Sequence, residues 1–513
     1  MTNTKKHIFS FLLFLLLIAS DSAKAQYLDP REAKMYFNRS NYLAALRTYN
    51  ILLQKERNNK EYNYNIGICY LRTNIDKAKA IHYLERVITF SKFDEEALYN
   101  LAMAYQYGYR FDEAIKEYNK YKASAKGKNL DKVDRQIETC YSAKELIKYP
   151  IEVTFENLGP DINSEFPDYY PFVAKDESFI VFTTRRGGII EFDGYYSSDI
   201  WESPSVNGKF LKARSAGYLV NSDFDEQAVG LSDDAKTVFV YLDQIKEFGD
   251  IYTSVKTRTA FEKIEKMSET VNSNSFETSA SISADGNTLF FTSARDGSYG
   301  GLDLYMTRRL PTGEWALPQN LGSDINTKYD EDFPTLSGDG QTLYFCSEGH
   351  ASMGGYDIFT STWNPESNSW SVPKNIGYPL NTPEDNRTIS FSEDGSHAYI
   401  SACRKDGIGD LDIYKIIFPK DILVRLQIPS GDDRNPFIID AFVSVINIEN
   451  DEPVGDYTAN PNNGFYTIAL KQPGKYELMI EAEGNKLYVE KMIFYEKENL
   501  PPVITKIIKL VPE

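Results

Sequence analysis

The sequence is poor in the residues that carry most catalysis and metal binding. Its 513 residues include only four histidines and four cysteines. They form no C-x-x-C pair and no H-E-x-x-H motif, and the chain has no G-x-S-x-G motif. These absences argue against the common zinc and serine hydrolases. We therefore expect a protein that is not an enzyme, without catalytic, cofactor-binding or metal-binding residues.

Basic residues are scarce in most of the chain, whose net charge is -18. Residues 26–149 hold 22 Lys and Arg against 16 Asp and Glu, a net of +6. Residues 150–513 hold 31 against 57, a net of -26. Because an acidic surface repels phosphates, we expect no nucleic-acid partner. A solvated acidic surface that keeps an exported protein soluble explains most of this charge.

Long apolar runs are absent except near the N-terminus. There, Lys5 and Lys6 precede an apolar run over 8–19, and Ala23 and Ala25 form an A-x-A cleavage pattern. This pattern predicts a signal peptide over residues 1–25, and its apolar run is short for a membrane span. No cysteine follows the cleavage site, so we expect an exported, periplasmic protein without a lipid anchor or a transmembrane segment.

Residues 26–149 carry a repeat of about 35 residues in three copies. In each copy a small residue is followed by a tyrosine, and a second small residue follows later. These positions are Ala33, Tyr36 and Ala45, then Gly67, Tyr70 and Ala80, then Ala102, Tyr105 and Ala114. Small residues let paired helices approach closely. The pattern resembles the tetratricopeptide repeat, which implies an α-solenoid with a groove for a peptide or protein, and 130–148 would be its capping helix.

Residues 150–419 carry a second, longer repeat in five copies. An asparagine, a turn aspartate and an Asp-apolar-aromatic triplet recur in each copy with nearly constant spacing. The asparagines are Asn163, Asn221, Asn272, Asn326 and Asn381; the turn aspartates are Asp176, Asp234, Asp285, Asp339 and Asp394; the triplets begin at Asp199, Asp250, Asp303, Asp357 and Asp412. Several short strands in each copy are typical of propeller blades.

Five copies predict a five-bladed β-propeller, and six blades would require a degenerate copy. Residues 151–159 have the pattern of the strand that the fifth copy lacks, so we expect them to complete the last blade. The repeats resemble the WD40-like repeats of periplasmic proteins, such as the propeller of TolB. The turn aspartates lack the spacing of a calcium loop, and we expect each to cap its own turn.

Glycine-rich loops follow the second strand of most copies and should crowd one rim of the ring. Arg185, Arg295 and Arg404 lie in these loops. They either pair with the repeat aspartates or bind an acidic or carbohydrate partner, and they are the candidate binding residues of this rim.

The last segment, 420–513, alternates apolar and polar residues as strands do, with an Asn463-Gly464 turn. It resembles the carboxypeptidase-regulatory-like domains, small β-sandwiches of the transthyretin type. The four cysteines, Cys69, Cys140, Cys346 and Cys403, fit buried apolar positions better than disulfides, although an oxidising compartment would permit a bridge.

The order of these parts resembles the OmpA-family envelope proteins of Bacteroidota, including PorE-like components of type IX secretion and gliding. Those proteins continue into a peptidoglycan-binding OmpA-like domain, which does not follow here before Glu513. The resemblance implies a periplasmic scaffold at the outer membrane. The net charge of +6 in residues 26–149 predicts that the helical groove binds an acidic or C-terminal segment of an envelope protein. The alternative is a binding module for a peptide or glycan on the propeller rim.

Overall fold

The computed structural model describes residues 29–124, 130–243, 249–430, 436–461, 463–495, 500–501 and 503–513, so the predicted signal peptide lies outside the described residues. The chain is mostly β and divides into two compact units. Unit 1 runs to Ile151 and continues over Asn157–Ser392 and Tyr399–Lys415. Unit 2 contains Glu152–Glu156, Glu393–Ala398 and Ile416–Glu513.

Unit 1 begins with helices that pack as consecutive pairs. They are α1 (Pro30–Asn38), α2 (Tyr42–Lys55), α3 (Lys60–Leu71), α4 (Ala80–Ile88, preceded by a 3₁₀ turn at Lys77–Lys79), α5 (Glu96–Tyr107), α6 (Phe111–Ser124) and α7 (Leu130–Leu146).

Short polar residues start the first helices, and small residues set their spacing. The side chains of Asp29, Asn41 and Asn59 cap α1, α2 and α3 by accepting backbone N–H groups. A Cβ atom added to Gly67 would lie 2.7 Å from Cγ of Leu84, so α3 and α4 touch where the repeat has its small residue. The repeat therefore encodes helix-to-helix contact, as the sequence predicted.

Short antiparallel strands follow the helices. Those of the first half of the repeat region are β1 (Thr154–Asn157), β2 (Asp168–Val173), β3 (Phe179–Thr184), β4 (Asp199–Val206), β5 (Lys209–Phe210), β6 (Arg214–Ser215), β7 (Asp225–Leu231), β8 (Thr237–Asp243), β9 (Asp250–Val255) and β10 (Glu265–Lys266). Those of the second half are β11 (Glu277–Ile282), β12 (Thr288–Ser293), β13 (Asp303–Arg308), β14 (Gln319–Asn320), β15 (Glu331–Leu336), β16 (Thr342–Ser347), β17 (Asp357–Asn364), β18 (Ser369–Trp370), β19 (Lys374–Asn375), β20 (Ser390–Phe391), β21 (His397–Ala402) and β22 (Asp412–Ile417).

These strands form sheets of one topology, one for each sequence copy. Sheet I has the order β2-β3-β4-β5 with β6 on β4, sheet II β7-β8-β9-β10, and sheet III β11-β12-β13-β14. Sheet IV has the order β15-β16-β17-β18 with β19 on β17, and sheet V has the order β20-β21-β22-β1. The outer place in sheet V is thus taken by β1, from the N-terminal end of the region, which confirms the expected pairing of 151–159 with the last copy.

The repeated asparagines join each sheet to the one before it. The Asn221 amide accepts a hydrogen bond from Ile200 N at 2.9 Å and donates one to Ile200 O at 2.9 Å. Asn272, Asn326 and Asn381 repeat this pair of bonds on the apolar residue of the preceding triplet. Asn163 makes it on Ile413 of the last copy, so the series of links is circular.

The turn aspartates cap their own turns, as expected. Each carboxylate accepts the backbone N–H two residues later, at 3.0 or 3.1 Å. The next residue has a positive φ in every copy, although it is Gly in only three of them. Glu177 (φ 54°) and Ala235 (φ 58°) adopt the left-handed conformation without being glycine, which costs conformational energy.

Unit 2 consists chiefly of two further sheets around a shared apolar core. Their strands are β23 (Lys420–Gln427), β24 (Phe442–Asn447), β25 (Glu452–Tyr457), β26 (Phe465–Gln472), β27 (Gly474–Glu481), β28 (Tyr488–Phe494) and β29 (Val503–Ile507). The orders are β26-β23-β29 and β25-β24-β27-β28. Val424, Val443, Ile468 and Leu478 are fully buried in this core.

The four cysteines are free thiols. Cys69, Cys140 and Cys346 are fully buried and act as small apolar residues. The partly buried Cys403 donates from Sγ to the Asn74 carbonyl at 2.6 Å.

Candidate functional site

A buried carboxylate is the first or second residue of the first strand in each of sheets I to IV. Asp168, Glu226, Glu277 and Glu331 are all fully buried. Each accepts both the backbone N–H and the hydroxyl of the Ser or Thr four residues earlier. Burial raises the pKa of Glu226 and of Glu331 to about 7. The sequence analysis missed this Ser/Thr-to-carboxylate spacing, although it is readable in four of the five copies.

Arg295, a predicted rim residue, is held inside its own sheet. Its guanidinium donates to Thr270 O at 3.3 Å, to Val271 O and to Glu277, and it stacks on Phe291. Only 16 % of the side chain is exposed. The Arg295 guanidinium therefore fastens the loop and the buried carboxylate together and does not face a partner.

The residue equivalent to Arg295 in the first copy is Arg186, which the sequence analysis passed over for Arg185. Both Arg186 and Arg295 lie two positions after the end of the second strand. Arg186 pairs with Asp168 and donates to Ile162 O at 2.5 Å, which repeats the Arg295 contacts. An alignment of the copies on the end of the second strand, rather than on the loop sequence, would have identified Arg186.

Arg185 and Arg404 lie in the glycine-rich loops, as predicted, and each is close to a carboxylate of its own loop. Arg185 pairs with Asp193 at 3.0 Å and Glu191 at 2.8 Å, both in its own loop. Arg404 lies 3.8 Å from Asp406, also in its own loop. The structure thus places the three predicted arginines in three separate loops, each within ion-pair distance of a carboxylate of its own copy.

The helices bind the glycine-rich loop of the fourth copy. The Arg135 guanidinium of α7 donates to Glu348 O at 3.0 and 2.6 Å and to Gly349 O at 2.6 Å. Gln106 of α5 donates to Met353 O at 3.2 Å. The Met353 side chain is fully buried and joins the apolar core of the helices. Backbone carbonyls and one apolar anchor are therefore bound much as a peptide would be.

The loop of the fifth copy makes a second contact with the helices. Asn74 donates to Asp410 Oδ1 at 2.7 Å, and Lys77 pairs with Glu384. A Cβ atom at Gly354 would lie 2.1 Å from Pro383 O, so the fourth-copy loop needs glycine to pack against its neighbour. Much of the predicted glycine-loop rim is consequently covered by the protein's own helices.

One helical surface combines the partly buried Tyr64 and the buried Tyr99 with two exposed cations. Equivalent residues of the contacting helices α3 and α5 form it, together with positions at the ends of α3 and α7. We call it the tyrosine face; its residues are Tyr64, Ile68, Arg72, Tyr99, Met103 and Lys132. Burial, with the nearby carboxylates Asp94 and Glu96, raises the pKa of Tyr64 to about 12, and the charge of Arg72 acts in the opposite direction on both Tyr64 and Tyr99.

The two cations of the tyrosine face have no acidic partner among the described residues. Lys132 Nζ lies 5.6 Å from the Tyr99 ring centroid, and Arg72 is exposed beside the tyrosines. Ten of the other eighteen described lysines and arginines of residues 29–149 lie within ion-pair distance of a carboxylate, as Lys144 does with Asp112 at 2.5 Å, and Arg47 and Lys55 of α2 are among those that do not. The tyrosine face thus carries two exposed cations without an ion-pair partner among the described residues.

No converging set of three metal-ligand side chains occurs within the described ranges. No helix in the described part of the chain is both long and apolar enough to cross a membrane.

No protein-family profile matches the chain, and no curated protein matches it. Among solved structures, it is similar to TolB from Acinetobacter baumannii, at 14% identity and a TM-score of 0.29, over 62% of each chain. It is also similar to a glycoside hydrolase, at 8% identity and a TM-score of 0.37, over 54% of this chain and 94% of that one. The match spans less than two thirds of the TolB chain, and likenesses this distant assign no function.

Proposed function

We propose that this protein is a non-enzymatic periplasmic scaffold of the cell envelope, peripheral to the outer membrane, that binds an acidic or C-terminal segment of an envelope protein on its tyrosine face. Its helices would be three tetratricopeptide repeats with a capping helix. Sheets I to V would be the blades of a five-bladed propeller, and unit 2 a carboxypeptidase-regulatory-like domain. A link to type IX secretion or gliding machinery follows from the resemblance of this domain order.

The observation that carries the proposal is the pair of unpaired cations, Arg72 and Lys132, over an aromatic surface. Tyrosine rings supply a rigid apolar contact area, and an exposed cation beside them attracts a carboxylate. The acidic surface elsewhere in the chain directs an acidic partner toward this basic region.

The contacts within the repeat region support a structural role for the propeller. The strand carboxylates are satisfied by hydroxyl and backbone donors, and two of the three predicted rim arginines have less than a fifth of the side chain exposed. The helices in turn hold the loops of the fourth and fifth copies. The propeller therefore acts as the rigid base that fixes the tyrosine face.

The test is capture of the partner from an envelope extract by the full chain and by charge-reversed variants. Arg72→Glu with Lys132→Glu should weaken capture at least about tenfold, because two attractions become repulsions. The matched control is Arg47→Glu with Lys55→Glu, which makes the same charge change at exposed positions of α2. Capture by the unmodified chain should also weaken as salt is added.

Equal loss of capture in both double variants would show that net charge, and not the tyrosine face, attracts the partner. Unchanged capture in the Arg72/Lys132 variant would refute the proposed site.

A further inference from the structure

The junction between sheets I and II is closed by an ion pair over two aromatic rings. Lys256, in the outer hairpin of sheet II, pairs with Glu202 of sheet I, whose side chain is only 4 % exposed. Its Nζ lies 4.7 Å from the Phe179 ring centroid and 4.4 Å from that of Phe261. A cation, a carboxylate and two rings thus fill the space between these sheets.

The next junction, between sheets II and III, lacks two of those groups. Glu202 follows Asp199 by three residues, and the residue three after Asp250 is Thr253. Asp199 pairs with Thr184, and Phe179 lies five residues before Thr184. In sheet II, Asp250 pairs with Leu242, and the residue five before Leu242 is Thr237. A carboxylate and a ring in the first junction are therefore replaced by two threonines in the second.

The cation and the outer ring are kept in this second junction. Arg309 and Trp315 form an isolated antiparallel β-bridge, as Lys256 and Phe261 do. The Arg309 guanidinium lies 4.7 Å from the centroid of the Trp315 indole. Arg309 is exposed, and among the described residues its guanidinium has no carboxylate within ion-pair distance. Arg309 thus lacks the carboxylate partner that Glu202 provides for Lys256 in the first junction.

A cavity of about 830 Å³ occupies the place of the missing groups. Thr237, Thr253, Phe239, Arg309 and Trp315 line it. Its size is that of pockets that enclose small molecules. In the following junction the ring equivalent to Trp315, Trp370, packs against Phe290 at 6.1 Å.

We propose that this cavity binds a small carboxylate-bearing molecule whose carboxylate takes the place of the missing glutamate on Arg309. Trp315 covers the apolar part of the ligand, and the hydroxyls of Thr237 and Thr253 offer hydrogen bonds. Guanidinium and carboxylate match each other in a two-bond geometry, which favours a carboxylate over a chloride or a neutral polar group.

The acidic side chains in the lining of the cavity restrict the class of ligand further. Asp233 pairs with Lys175 and Asp234 pairs with Lys236, but Asp285 and Glu314 add negative charge. A simple dianion would be repelled there. The ligand should therefore carry hydroxyl or amino donors besides its carboxylate, as a sugar acid or a short peptide does.

Calorimetry with the full chain tests the proposal with two acid probes and their neutral counterparts. The probes are glucuronate against glucose, and alanylalanine against its C-terminal amide. At least one acid should bind with a dissociation constant on the order of 1 mM or tighter, and its counterpart should not. The acid that binds identifies the source of the carboxylate as sugar or peptide.

Two variants locate the binding. Arg309→Ala should weaken binding of the acid on the order of 10- to 100-fold, and Arg308→Ala, its exposed neighbour, should leave it unchanged. Thr253→Glu should abolish binding and raise the urea midpoint of unfolding, because it restores the ion pair of the first junction. Failure of both acids to bind, equal binding of the neutral counterparts, or equal binding by Arg309→Ala would each overturn the proposal.

Discussion

Asn163 closes the circle of sheets, and its replacement tests that closure. Its amide holds both the N–H and the carbonyl of Ile413, at 2.8 and 3.0 Å, across 250 residues of chain. Asn163 is 2 % exposed, so water cannot replace these bonds in full. Asn163→Ala leaves the buried Ile413 N–H without its partner, whereas Ile413 O keeps the hydrogen bond that it accepts from Leu158 N at 3.2 Å.

An unsatisfied buried N–H costs about 1–3 kcal/mol, so the variant should lose about 1–3 kcal/mol of unfolding free energy. The matched control is Asn326→Ala, which breaks the same two bonds to Leu304 between sheets III and IV. If the ring is closed, the two losses should be similar.

Urea unfolding followed by tryptophan fluorescence measures both variants, because all four tryptophans, Trp201, Trp315, Trp363 and Trp370, lie in the strands of sheets I to IV or in their connections. A loss below about 0.5 kcal/mol for Asn163→Ala, together with a large loss for Asn326→Ala, would show that the first and last copies are not joined.

Three further predictions concern the turns, the helix contact and the buried carboxylates. Ala235→Gly should stabilise the protein by up to about 1 kcal/mol by relieving a left-handed alanine, and Gly340→Ala should destabilise it, both measured by urea midpoint. Met353→Ala should cost about 2–4 kcal/mol and speed trypsin cleavage between α7 and β1, whereas unchanged cleavage would contradict the helix contact. Burial raises the pKa of Glu331 to about 7, above its unfolded value, so its contribution to stability should be lost as pH rises through about 7; Glu331→Gln should flatten this slope in urea midpoints.

Much of the repeat organisation could be predicted because the residues that make the repeated contacts recur in each copy at nearly constant spacing. The asparagines, turn aspartates and triplets each make the same bonds in their own copy, so spacing alone finds them. The pairing of β1 with β22 was predictable from a missing strand in the fifth copy. Ala235 and Glu177 show the limit of such rules, since the turn persists without its glycine.

The contact of the helices with the loops could not be predicted from local patterns. Arg135 and Glu348 are 213 residues apart, and nothing near Met353 marks it as part of a helical core. The same holds for the candidate sites. Arg185 was chosen from its loop, but Arg186 makes the repeated contacts. That Arg72 and Lys132 make no ion pair with a described residue is known only from the structure.

Photo-crosslinking in the living cell tests the central claim most directly. A photoreactive amino acid placed at Ile68 or Met103 on the tyrosine face should crosslink to one envelope protein, and the same group at Ile51, an exposed position of α2, should not. Crosslinks from Ile51, or from Leu317 in the sheets, without any from Ile68 and Met103 would contradict the account.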